Sequence, residues 1–137
     1  MTTINATKGE LVNLINGLFQ VQELKGKQFS LSVSKNIKTL QTELKDLEVA
    51  GKPSDEFLAL AEQVNVIANT NSDDSQAQIL ALEEDNKDLV ESRRKQIEEV
   101  TSMMEGDTSI KLELISESAL PEDITAKQIT NIEKIIK

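Results

Sequence analysis

Apolar residues recur at every third or fourth position through most of the chain, which is the spacing of one face of an α-helix. The first run follows Thr7, whose distance from Glu10 matches a capping box at a helix start. Gly26 lies near the expected end of this helix. Because glycine adopts a positive φ easily, it can close the helix there, and the alternative is a kink in a helix that continues. The stripe of this helix consists of Leu11, Leu14, Ile15, Leu18 and Phe19, extended by Val21 and Leu24.

Two further apolar stripes are separated by residues that typically end one helix and start the next. Gly51 can close a helix, Pro53 prevents continuation through the preceding residue, and Ser54 or Asp55 can cap the next helix. The second stripe consists of Phe29, Val33, Ile37, Leu40, Leu44 and Leu47. The third consists of Phe57, Leu60, Ala61, Val64, Ile67 and Ala68.

Small polar residues then predict a loop over 69–76, because Asn, Asp, Ser and Thr favour turns. A long helix is predicted over 79–104, with a stripe that becomes polar at Asn86 and Arg93. Gly106 is expected to end this helix.

The period changes at 109–115, where apolar and polar residues alternate as in a half-buried strand. The alternation places Ile110, Leu112 and Leu114 on one face. Because a single strand cannot satisfy its own backbone hydrogen bonds, it needs a partner. Residues 3–5 and the same strand of a second copy are both candidates.

Thr125 is predicted to cap a final helix that carries Ile129, Ile132, Ile135 and Ile136. We therefore predict a mainly α fold, a long antiparallel helical hairpin or small bundle with a short β element at about 109–115. Residues 1–137 are interpreted as one helical domain, to which the strand and helix of 107–137 form an appendage.

Composition narrows the chemistry, since the 137 residues include no His, Cys, Trp or Tyr. Catalysis with a histidine base, disulfides and thiolate metal sites are thereby excluded. The sequence around Asp73 alternates like a calcium loop, but Asp74 stands where glycine is needed and Leu80 where the closing acid belongs. We therefore expect no enzyme activity, no cofactor and no metal site, and an enzyme using carboxylates and a divalent metal is the weakest alternative.

The formal net charge of −9 disfavours binding to nucleic acid and to anionic membranes, which would repel the chain. The N-terminal residues lack the pattern of a signal peptide, and no run approaches the roughly 20 apolar residues that span a bilayer. We expect a soluble protein of a reducing cytoplasm.

Arg93, Arg94 and Lys95 form the one basic cluster of the sequence and include both of its arginines. Arg94 can pair with Glu98 four residues later on the same helix. Arg93 falls on the apolar stripe, so it can pair with an acid of a facing helix or of another subunit, and a ligand is the second interpretation. The candidate interaction residues are Arg93, Arg94, Lys95, Ile110, Leu112 and Leu114.

The order of these signals resembles small acidic proteins of tailed bacteriophages and prophages, a family without an assigned activity. The resemblance is carried by the segments 24–29, 52–57, 110–115 and 120–125 together with the long charged helix. It implies a viral origin and supplies no functional residues.

These observations predict a non-catalytic, phage-encoded protein–protein interaction protein, a structural or assembly component that works as a homo-oligomer. Its partners would be itself and other phage or host proteins, in the host cytoplasm or the virion. The alternative is an anti-defence or regulatory factor that binds a host protein or sequesters a small nucleotide. Arg93, Arg94 and Lys95 would then grip phosphate.

Overall fold

The computed structural model describes residues 1–70 and 72–137, and these form a mainly helical fold with a short two-stranded antiparallel sheet. The predicted fold class is confirmed. The elements are β1 (Thr2–Thr7), α1 (Lys8–Val21), α2 (Lys27–Glu43), α3 (Lys45–Gly51), α4 (Asp55–Thr70), α5 (Ser75–Asp85), α6 (Lys87–Glu105), β2 (Asp107–Leu112) and α7 (Ala126–Asn131), with 3-10 turns at Glu117–Ala119 and Glu133–Ile135.

The chain divides into two compact units. The first comprises Met1–Glu48 and Ser102–Lys137, and the second comprises Val49–Thr101. Residues 107–137, which we expected to form an appendage, supply a strand and several buried side chains to the first unit. This unit is therefore assembled from two segments that are distant in sequence.

In the sheet, β2 pairs with β1, which contains residues 3–5, the first of the two partners proposed for the predicted strand. Thr2 lies opposite Leu112 and Thr7 opposite Asp107. The strand ends at Leu112 rather than at residue 115, at the position opposite Thr2, where β1 begins. Beyond the sheet, Ile115 forms an isolated parallel bridge with Ile136.

A buried asparagine of α2 continues the pairing where the strand partner runs out. The Asn36 Nδ2 donates to the backbone oxygen of Glu113 at 2.9 Å, and the Glu113 N–H donates to Asn36 Oδ1 at 2.8 Å. The Asn36 side chain is fully buried. Its amide thus replaces the peptide group that a neighbouring strand would present.

The buried apolar side chains of the first unit are aliphatic apart from Phe29. Helix α1 packs against α2 and α7, and β2 lies against α2. Gly17 permits the close approach of α1 to α7, since a Cβ atom there would lie 2.9 Å from the Asn131 backbone oxygen. The core side chains with no exposed surface include Leu11, Leu18, Val21, Leu40, Leu112, Ile132 and Ile135.

Capping boxes start both helices for which the sequence predicted a threonine cap. The Glu10 N–H donates to Thr7 Oγ1 and the Thr7 N–H to Glu10 Oε1, each at 3.1 Å. Thr125 and Gln128 make the same reciprocal pair at the start of α7. The final helix is shorter than predicted, because α7 ends at Asn131 and a 3-10 turn follows.

Two predicted continuous helices are interrupted at single residues. Leu44 leaves helical geometry between α2 and α3, although its N–H still donates to Leu40 O at 2.9 Å. Asn86 separates α5 from α6 within the predicted helix 79–104. Its Nδ2 donates to Leu82 O at 2.8 Å, so the side chain competes with the backbone for the carbonyl of the preceding turn.

The connection between α4 and α5 is shorter than the predicted 69–76 loop. Asn71, which belongs to that prediction, lies outside the described residues. Helix α4 continues to Thr70, whose hydroxyl donates to Ile67 O at 2.6 Å. Helix α5 begins at Ser75, whose Oγ accepts from the Ser72 N–H at 3.1 Å and itself donates to Ile67 O. These side-chain bonds satisfy the backbone groups at the helix ends, which shortens the connection.

Candidate functional site

Arg93, the charge on the predicted apolar stripe, is half-buried in the second unit and bound to neutral groups. Its Nη1 donates to Gly51 O and to Gln96 Oε1, both at 2.9 Å. The guanidinium carbon lies 5.6 Å from the centroid of the Phe57 ring, within range of a cation–π contact. Among the described residues, no acid of a facing helix pairs with it.

Gln96 binds the same turn from one helical turn further along α6. Its Nε2 donates to Ala50 O at 2.8 Å and to Lys52 O at 2.7 Å. Together with the bond to Gly51, three successive carbonyls at the end of α3 are bound by side chains of α6. Helix ends carry unpaired carbonyls and partial negative charge, so this arrangement fixes the α3–α4 turn against α6.

The Arg93 groove is a surface groove of about 220 Å³ beside these contacts. Ser54, which caps α4 by accepting from the Phe57 N–H at 3.1 Å, forms part of its wall. The lining residues are Lys52, Ser54, Phe57, Leu89, Ser92, Arg93 and Gln96. We did not predict this site, although Gln96 stands three residues after Arg93 and therefore on the same helix face.

Arg94 and Lys95 do not join Arg93 at the groove. Arg94 is exposed and forms ion pairs with Glu91 and with Glu98 on its own helix, as the intrahelical interpretation expects. The hydrogen bond from Arg94 lowers the pKa of the Glu91 carboxyl, and the two carboxylates raise the pKa of the guanidinium. Lys95 is exposed and lies outside the groove.

The apolar candidates of β2 require a correction. Ile110 and Leu112 are buried in the first unit, because β2 lies against α2 and pairs with β1, and they present no surface to a partner. Leu114 is half-buried beyond the end of the strand. The alternation had correctly identified a face, but that face is covered by the chain itself.

Exposed aliphatic residues concentrate instead on the second unit. Among the described residues of this unit, Leu60 is the one buried apolar side chain, and it is 5% exposed. Helices α5 and α6 contribute none. Large aliphatic side chains that are between 49% and 65% exposed are Val49, Leu58, Val66, Leu80 and Ile97.

A larger groove of about 450 Å³ lies between α1 and α7 in the first unit. Two of its charged residues neutralise each other, since Lys134 Nζ lies 2.8 Å from Glu10 Oε2. Hydrogen bonds from Lys134 and from the Thr7 backbone, together with the lysine charge, lower the pKa of the Glu10 carboxyl from 4.5 to about 2. This exposed ion pair links the first turn of α1 to the 3-10 turn Glu133–Ile135.

Within 1–70 and 72–137, no group of three or more acidic residues is arranged to hold a metal ion. No helix in the same described ranges is long and apolar enough to cross a membrane. Comparisons with protein-family models, curated proteins and solved structures found no match.

Proposed function

We propose that the chain is a non-catalytic protein that acts through protein–protein contacts and associates with copies of itself. The observation that carries the proposal is the thin packing of the second unit, whose helices leave large aliphatic side chains about half exposed or more. Full burial of one Val, Leu or Ile side chain contributes about 1.5–3 kcal/mol. Covering several half-exposed side chains at once would therefore favour association by several kcal/mol.

The finer form of the proposal is a structural or assembly component of a tailed phage, with phage or host proteins as further partners. The resemblance of the sequence signals to acidic phage proteins supports this form. The net charge of −9 supports a protein partner over nucleic acid, which would be repelled. Head or tail genes beside this gene would support the assembly role, and a neighbourhood without phage genes would contradict it.

Light scattering coupled to size-exclusion chromatography tests self-association directly. We expect a mass above 15.2 kDa that falls on dilution. Leu80→Glu and Ile97→Glu should each shift the mass toward the monomer, because a carboxylate cannot be buried cheaply in an apolar interface. Leu31→Glu is the matched control, since Leu31 is 53% exposed but lies on α2 of the first unit.

Circular dichroism must show that each variant retains wild-type helicity. A wild-type mass of one chain at every concentration would contradict self-association. If Leu31→Glu dissociates the protein and the two variants of the second unit do not, the interface lies on the first unit and the supporting observation is misread.

A further inference from the structure

Arg93 is half-buried without an anionic partner among the described residues. Its Nη1 uses both protons on Gly51 O and Gln96 Oε1. Its Nε and Nη2 have no hydrogen-bond partner within the described part of the chain, and none of the ion pairs found there includes Arg93. The Nε–Nη2 edge is the fork that binds two oxygens of one oxyanion.

The lining of the Arg93 groove reverses the charge balance of the chain. Acids outnumber basic residues by 24 to 15 in the sequence, yet the lining set contains Lys52 and Arg93 and no acid. Ser54 and Ser92 add two hydroxyls, and the Ser54 oxygen accepts a backbone bond that leaves its proton free to donate. Phe57 and Leu89 supply an apolar wall beside these polar groups.

We propose that the Arg93 groove binds the phosphate group of a small phosphorylated molecule. A phosphate monoester presents three terminal oxygens, which suits a guanidinium fork, an ammonium group and two hydroxyl donors better than the two oxygens of a carboxylate. The apolar wall accommodates the organic part of the ligand. The site is separate from the proposed self-association, because it depends on a charged groove and not on the exposed aliphatic residues.

The two arginines make a direct test possible, since Arg93 and Arg94 give the only arginine side-chain signals in an NMR spectrum. The probes are inorganic phosphate, adenosine monophosphate and acetate, each added to the full chain at constant ionic strength. We expect phosphate and adenosine monophosphate to shift the Arg93 Nε–H signal saturably and to leave Arg94 unchanged. Acetate should bind at least about tenfold more weakly, the equivalent of one lost hydrogen bond to a charged group.

Ser92→Ala and Arg94→Gln form the matched pair of variants, since both residues are exposed and neither contributes to the core. Ser92→Ala should weaken phosphate binding by about tenfold, and Arg94→Gln should leave it unchanged. Arg93→Lys keeps the charge and removes the fork, so it should abolish saturation if its circular dichroism matches the wild type. Linear, unsaturated shifts of both arginines would overturn the proposal. Acetate binding equal to phosphate binding would overturn the phosphate assignment in favour of a carboxylate.

Discussion

Replacing Asn36 with leucine is the sharpest test of how the first unit is held together. Leucine keeps the branch at Cγ with methyl groups bulkier than the amide oxygen and nitrogen, and it removes both bonds to the Glu113 backbone, at 2.9 and 2.8 Å. The Glu113 N–H and C=O would then be left without partners beside a fully buried position. Each such group costs about 1–3 kcal/mol, so we expect a loss of about 2–6 kcal/mol.

This loss is large against the stability of a typical domain, about 5–15 kcal/mol. Urea unfolding followed by far-UV circular dichroism measures it, and an unchanged m-value would show that the compactness of the two states is preserved. Asn16→Leu is the control, because Asn16 is exposed on α1. We expect that control to change stability by no more than about 0.5 kcal/mol.

Native-state hydrogen exchange adds a local readout, since the Glu113 amide should lose protection selectively in Asn36→Leu. If Asn36→Leu is as stable as Asn16→Leu, the paired bonds make no net contribution and our account of the strand end is wrong. Retained protection of the Glu113 amide would also refute this account, because another group would then be accepting a hydrogen bond from that N–H.

Two further predictions concern α1. Gly17→Ala should destabilise the first unit by up to about 2 kcal/mol in urea unfolding, since overpacking against Asn131 costs about 1–3 kcal/mol and the gain in helix propensity is about 1 kcal/mol. Lys134 lowers the pKa of the Glu10 carboxyl from its ordinary value of 4.5 to about 2. The carboxylate therefore stabilises the fold fully at pH values above 4.5, and this contribution disappears as the pH falls toward 2. Glu10→Gln should therefore flatten the acid limb of the stability profile between these two pH values.

A different result would contradict each of the predictions for Gly17→Ala and Glu10→Gln. A stabilised Gly17→Ala would mean that α7 moves away from α1 without loss. An acid limb identical in Glu10→Gln and wild type would mean that the ion pair is equally formed in the unfolded chain, or absent from the fold.

Local signals in the sequence predicted much of this fold because they act over one helical turn. The Thr7–Glu10 capping box and the Ser54 cap both form as their spacing indicated. Gly26 adopts the expected positive φ of 142°, although it precedes α2 instead of closing α1 at once. Such features depend on residues within a few positions of one another.

Features that depend on distant residues escaped prediction. Asn36 lies beside the α2 stripe, three residues after Val33, so its burial had a local signal, but its partner Glu113 is 77 positions away. Arg93 stands out in the sequence as a charge on an apolar stripe, whereas its partner, the Gly51 carbonyl, has no sequence signature. A backbone oxygen is present at every residue, and only the fold determines which one a side chain reaches.

The pairing of Thr2 with Leu112 has a consequence for synthesis on the ribosome. The strand made first cannot find its complement until more than a hundred further residues have been added, whereas the intervening unit emerges complete before then. Closing so long a loop costs chain entropy, and this cost arises before the hydrogen bonds of the sheet can form and offset it. Strand β1 therefore stays unpaired until β2 has been synthesised, and the first unit cannot close before the residues of the second unit have emerged.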